Sequence, residues 1–103
     1  MKKIIDGKVY NTETADPIGS YWNGHTQRDF HYEELTLYKT KKGSFFVAGE
    51  SGPLGCFAKS VGNGSTGGEG LFTLTREEAL EWAERHLDPE DYEEFFSDLI
   101  EEA

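Results

Sequence analysis

The chain has 103 residues, of which 36% are hydrophobic and 14% aromatic, enough for one domain with a single modest core and too few for two. Its formal net charge of −10 at pH 7 disfavours binding to nucleic acid, anionic lipid or anionic metabolites and favours basic partners. The single cysteine, Cys56, excludes an intrachain disulfide, and no apolar run approaches the roughly 20 residues of a membrane span, so we expect a cytoplasmic protein.

Turn-forming pairs divide the first part of the chain. Asp6-Gly7 is typical of the centre of a tight hairpin and predicts strands at Lys3–Ile5 and Lys8–Tyr10. The composition of Asn11–Ser20 predicts an irregular or single-turn helical segment. Asn23-Gly24 marks a further turn.

The middle of the chain predicts the main strands. Phe30–Tyr38 alternates with apolar residues on both faces, which predicts a central strand. Lys41-Lys42-Gly43 fits a hairpin turn with glycine at the position of positive φ, and Ser44–Ala48 returns as its partner. Two further strands are predicted at Cys56–Val61 and Leu71–Leu74.

A glycine-rich stretch, Gly62–Gly70, is predicted to be a long, mobile loop. Its first six residues match the letters of the dinucleotide-binding fingerprint G-x-G-x-x-G. That fingerprint joins a strand to a helix, whereas here a strand follows, so the stretch is better interpreted as the loop of a hairpin.

Two helices are predicted at the C-terminal end. Thr75 and Glu78 form a capping box for the first, and Asp88-Pro89 supplies the N-cap and first residue of the second. The residues predicted to face the core are Ala79, Leu80, Ala83 and Leu87 on the first helix, and Tyr92, Phe95, Phe96, Leu99 and Ile100 on the second. We therefore expect one α+β domain over residues 1–103, with a small antiparallel sheet of four to six strands and an acidic helical hairpin packed on one face.

All of the net negative charge lies in this helical tail. Arg76–Ala103 contains twelve acids and two bases, while Met1–Thr75 contains eight of each. Opposite the apolar stripes, the pattern predicts a partner-binding face formed by Glu77, Glu81, Glu84, Glu90, Asp91, Glu94, Asp98 and Glu101. The alternative interpretation is a solvated face that serves solubility.

Residues with catalytic or metal-binding chemistry are scattered. Three histidines have no partner at the spacings typical of metal sites. A nucleophilic site could be drawn from Cys56, His25 and Asp29, but a cysteine in a predicted strand is typical of a buried, inert thiol. We therefore expect a binding protein without catalytic residues, metal or cofactor.

Four stretches of the chain resemble a group of small uncharacterised proteins carried by phages and other mobile elements of bacteria. They are Ile4–Ala15, Glu34–Tyr38, Lys42–Phe46 and Leu74–Trp82. The resemblance carries no catalytic motif and implies a setting in which small acidic proteins include anti-CRISPR and anti-restriction inhibitors. It therefore implies an inhibitor that binds a basic DNA- or RNA-binding surface of a host defence complex. Alternatives are an acidic adaptor of a mobile element with an ordinary protein partner and, more weakly, a small enzyme with a glycine-rich lid.

Overall fold

The computed structural model of the protein describes residues 1–62 and 64–96. The elements in chain order are β1 (Lys2–Ile5), β2 (Lys8–Asn11), β3 (Asp16–Trp22), β4 (Glu33–Lys39), β5 (Phe45–Ser51), β6 (Lys59–Val61), β7 (Gly64–Thr66), β8 (Gly68–Leu74), α1 (Arg76–His86) and α2 (Pro89–Phe96). The main sheet is antiparallel with strand order β3-β4-β5-β8, and β1–β2 and β6–β7 form separate two-stranded sheets. The predicted α+β class and the interior position of β4 are confirmed.

The first hairpin follows its local turn signal. Asp6 and Gly7 have φ values of 51° and 75°, which is the geometry that a two-residue hairpin turn requires. The irregular or single-turn segment predicted for Asn11–Ser20 is confirmed for residues 12–15, where the Ala15 N–H donates to the Asn11 carbonyl over 3.0 Å, and is wrong beyond them, because β3 begins at Asp16. Pro17 is accommodated there because β3 is an edge strand and its pairing with β4 shifts register between Pro17 and Gly19.

The strand predicted at Phe30–Tyr38 begins later than expected, at Glu33. The preceding residues form a turn in which the Tyr32 N–H donates to the Asp29 carbonyl over 3.2 Å. The β4 strand then pairs with β5 without interruption, from Glu33 opposite Ser51 to Lys39 opposite Phe45.

The long loop predicted for Gly62–Gly70 is also wrong. Residues on both sides of the turn pair as β6 and β7, Gly62 adopts a positive φ of 52°, and β8 already starts at Gly68. The glycine fingerprint therefore does belong to a hairpin, but it contributes the second strand, β7, as well as part of the turn. Cys56 was expected to be buried in a strand, but it is exposed in the turn that precedes β6.

The helices begin where the capping signals predict. The Glu78 N–H donates to Thr75 Oγ1 over 3.1 Å, and the Thr75 N–H donates to Glu78 Oε1 over 2.9 Å. Phe96 is buried as predicted, whereas Phe95 is 38% exposed because it lies at the rim of the stripe. Leu99 and Ile100 lie outside the described residues. Neither helix in the described part of the chain combines the length and apolar character needed to cross a membrane.

The main sheet carries apolar side chains on both faces. On one face the helices cover a cluster of buried residues: Ile18, Leu35, Leu37, Phe45, Val47, Ala79, Ala83, Leu87 and Phe96. On the other face the β1–β2 hairpin covers Phe46, with the Tyr10 ring edge-on to it at 5.6 Å and the Tyr38 ring stacked on it at 5.0 Å. This hairpin covers only part of the second face, and Glu34 and Glu69 on the same face are exposed.

The connection between the helices lies directly against β3 at Gly19. An ideal Cβ at Gly19 would lie 2.8 Å from Leu87 Cδ2 and 3.3 Å from Asp91 Oδ2. Since real Cβ atoms do not approach other atoms that closely, the missing side chain of Gly19 allows Leu87 to enter the core.

Candidate functional site

Six of the acidic residues predicted to bind a partner lie in the described parts of the two helices. We define the helical acid face as Glu77, Glu81, Glu84, Glu90, Asp91 and Glu94. Five of these side chains are exposed, while Asp91 is half-buried because it turns towards Gly19 of β3. Asp98 and Glu101, which were predicted to belong to the same face, lie outside the described residues.

The carboxylates of the helical acid face form no ion pair within the described residues, although Arg76 and Arg85 lie on α1 as well. The ion pairs found in residues 1–62 and 64–96 join His25 to Asp29 and Lys41 to Asp16, both away from the helices. The hydrogen bond that involves this face is donated by the Tyr92 hydroxyl to Glu84 Oε1 over 3.3 Å and links the two helices. Burial raises the pKa of Tyr92, and the charge of Glu84 adds to this effect. The face is therefore available to an external cation.

The nucleophilic arrangement considered from the sequence has a different geometry. His25 Nδ1 lies 3.3 Å from Asp29 Oδ2, as a catalytic pair would require. The backbone N–H of Cys56, however, donates to Glu33 Oε2 over 2.9 Å. Desolvation and the charge of Glu33 raise the pKa of the Cys56 thiol to about 11, so the thiol stays protonated at neutral pH and is a poor nucleophile.

His86 lies in the last turn of α1, where a positive charge would interact favourably with the helix dipole. Its ring packs 4.3 Å from the Tyr21 ring and 4.9 Å from the Trp82 ring. Burial, together with the charge of Arg85, lowers the pKa of His86. His86 therefore packs as a neutral aromatic group at neutral pH and brings no positive charge to the helix C-terminus.

A second acidic feature, which the sequence did not predict, crosses the open part of the sheet. Glu34 of β4 lies directly opposite Glu50 of β5, and Glu50 lies directly opposite Glu69 of β8. We call these three side chains the carboxylate row. Adjacent strands are about 4.8 Å apart, and like charges directly opposite one another destabilise a sheet. The row becomes apparent only when the strand register is known.

A buried tyrosine holds two members of the row. The Tyr32 hydroxyl lies 2.7 Å from Glu34 Oε2 and 2.8 Å from Glu50 Oε1. A phenol has one proton, so Tyr32 donates to one carboxylate at a time. The hydrogen bond with Glu34, burial and the bond with Glu50 together raise the pKa of Tyr32. The phenol therefore remains protonated and fixes both carboxylates at the sheet surface.

The three side chains of the carboxylate row lie in a line across the strands and do not surround a common point. Glu50 and Glu69 border an open cleft of about 550 Å³, which Arg28 and Phe30 also line. Arg28 forms no ion pair with either carboxylate. Across residues 1–62 and 64–96, no three His, Cys, Asp or Glu side chains converge closely enough to hold a metal ion.

No protein-family model matches the chain, and no match is found among curated proteins or solved structures. The resemblance to small phage-borne proteins therefore stays a prediction. The arguments that follow rest on the geometry and charge of this chain alone.

Proposed function

We propose that the protein is an anti-CRISPR-like inhibitor of a host nucleic-acid-targeting defence complex. In this proposal the helical acid face binds a basic surface on which the complex would otherwise hold DNA or RNA. The partner is a protein or ribonucleoprotein, and the protein itself makes no contact with nucleic acid.

The observation that supports this proposal is the concentration of unpaired carboxylates on adjacent helices. Carboxylates one turn apart on a helix recur about every 6 Å, which gives a regular line of negative charge. A groove that binds nucleic acid presents Lys and Arg side chains to such a line and releases counterions when they are neutralised. The protein would compete for those same cations, and electrostatic attraction would accelerate its association.

A pull-down from a lysate that contains CRISPR and restriction complexes tests the proposal. The helix variant, Glu81→Gln/Glu90→Gln/Glu94→Gln, removes three charges from the helical acid face. The row variant, Glu13→Gln/Glu34→Gln/Glu50→Gln, removes the same number of charges away from the helices and from β8, and is the matched control.

We expect the wild type and the row variant to capture a nucleic-acid-binding effector at low salt, identified by mass spectrometry. The helix variant loses this capture, and raised salt weakens it for all proteins because counterions screen exposed charges. Equal capture by the helix variant and the wild type would show that the helical acid face serves solubility only.

An acidic adaptor with an ordinary protein partner is a second candidate, and exposed aromatic side chains favour it. Trp22 is 59% exposed and Phe30 is 65% exposed, although both are large apolar residues of the kind enriched in binding hot spots. An adaptor predicts capture that resists salt and is lost on Trp22→Ser or Phe30→Ser, while the helix variant still binds.

A further inference from the structure

The outer edge of β8 is an unpaired strand edge. β8 is the last strand in the order β3-β4-β5-β8, and its seven residues pair with β5 without a register shift. Within residues 1–62 and 64–96, no other hydrogen bond reaches the β8 backbone. Every second residue of such a strand therefore directs its N–H and C=O groups away from the sheet.

The opposite edge of the same sheet is protected, which makes the exposure of β8 notable. β3 contains Pro17 and a register shift, and α2 packs against it, whereas α1 contacts β3 and β8 alike. Proline, irregular register and covering elements are the means by which proteins prevent unwanted strand addition. β8 has no proline, lysine or arginine, and its charged residue, Glu69, opposes only the addition of an acidic strand.

The carboxylate row ends at this edge. Glu69 is exposed in β8 and lies next to Glu50 on the same face of the sheet. A strand added to β8 would place one of its side chains directly opposite Glu69, at the distance of a cross-strand pair. A basic side chain there would neutralise the row, whereas an acidic one would extend the repulsion.

We propose that β8 accepts an extended, basic segment of a protein partner as a fifth strand of the main sheet. The segment carries Arg or Lys opposite Glu69. Three positions away, and so on the other face, it carries an apolar residue opposite Phe72, which is half-buried and packed beside the helices. Main-chain hydrogen bonds supply affinity and these two side chains supply specificity. This surface is distinct from the helical acid face and does not depend on it.

A second copy of the chain fits this edge less well. Each copy carries a net charge of −10, and pairing β8 with its own copy would join two carboxylate rows at one surface. Repulsion at such short range is not screened at ordinary ionic strength, where the Debye length is about 8 Å.

The test uses two heptapeptides with the sequence Thr-Val-Thr-Thr-X-Thr-Thr, capped at both ends. X is Arg in the probe and Glu in its control, and valine lies three positions from X. Backbone amide NMR spectra of the full chain are recorded while each peptide is added to about 5 mM, a range that detects weak binding. Amide hydrogen exchange of β8 is measured in the same samples.

We expect the Arg peptide to shift the amide signals of Gly68–Leu74 and to slow exchange at alternate residues of this strand. The Glu69→Lys variant should bind it roughly tenfold more weakly or worse, since a charged cross-strand partner is lost, while circular dichroism confirms that it is folded. The helix variant, with three charges removed elsewhere, should bind as the wild type does.

Three results would overturn the inference. They are the absence of shifts in β8, equal binding of the Arg and Glu peptides, and equal weakening by the Glu69→Lys and helix variants, which would indicate non-specific attraction. A stable dimer of the wild type in sedimentation, with hydrogen exchange of β8 slowed in the absence of peptide, would identify a second copy as the occupant instead.

Discussion

The carboxylate row predicts that removing a charge stabilises the protein. Glu69 has one like-charged neighbour in register, Glu50, whereas Glu50 has two, Glu34 and Glu69. A charged cross-strand pair changes stability by about 0.2–1 kcal/mol. We therefore expect Glu69→Gln to raise the free energy of unfolding by about 0.5 kcal/mol. Glu50→Gln should gain less than its two like-charged neighbours suggest, because Glu50 also accepts hydrogen bonds from Tyr32 and Gln27 that its charge strengthens.

Replacement with a basic residue should have a larger effect at the exposed end of the row. Glu69→Lys turns a repulsive pair with Glu50 into an attractive one, so we expect a gain of about 1 kcal/mol. In a domain of this size that corresponds to a rise in melting temperature of about 4–8 °C. Tyr32 is unaffected, because its hydroxyl contacts Glu34 and Glu50 and not Glu69.

Urea denaturation at about 0.01 M and at about 1 M salt measures the changes in the free energy of unfolding. The comparison isolates the charge repulsion because the Debye length falls from about 30 Å to about 3 Å between these salt concentrations. All three gains should shrink at high salt. Glu13→Gln is the matched control, because Glu13 is exposed in the turn after β2 and has no acid in register with it. If Glu69→Lys destabilised the protein at low salt, or if Glu13→Gln stabilised it equally, the row would not be the source of the repulsion.

Three further predictions concern the fold and the thiol. Gly19→Ala should lower the free energy of unfolding by about 1 kcal/mol, measured in urea, because its Cβ would force the buried Leu87 side chain to shift; an unchanged value would mean that Leu87 shifts freely. Thr75→Ala should cost about 1 kcal/mol through loss of the capping box, whereas Thr75→Ser should cost little. Alkylation of Cys56 by iodoacetamide at neutral pH should be about 100-fold slower than that of an unperturbed thiol, since the pKa is raised to about 11. Glu33→Gln should accelerate the alkylation of Cys56. A pH–rate profile centred near 9 would contradict the raised pKa of this thiol.

The features that were predicted correctly depend on residues close together in the chain. The turn at Asp6-Gly7 and the capping box at Thr75 need two to four residues each, and both were located to within a residue. The same holds for the hairpin turn at Gly43, whose φ is 90°. Local backbone preference is sufficient at these positions because no tertiary contact opposes it.

The features that were missed depend on strand pairing. Proline is disfavoured within strands because it cannot donate a ladder hydrogen bond, so Pro17 predicted an irregular segment. The protein nevertheless accommodates Pro17 in β3, because β3 is an edge strand and its register shifts next to this residue. The carboxylate row joins residues up to 35 positions apart along the chain, so no local pattern reveals it. Glu34 was assigned to the correct strand. Its neighbours on the adjacent strands, however, can be identified only when the order and register of the strands are known.

The β6–β7 hairpin offers a practical means of following this protein. Every described residue of its two strands is exposed, and none belongs to either cluster of buried side chains. Exposed segments of this kind tolerate insertions and chemical labels. A fluorophore or affinity tag introduced at Ser60 would therefore leave both cores intact and would not occupy the helical acid face, so that binding to a partner could be observed without disturbing the carboxylates that are being tested.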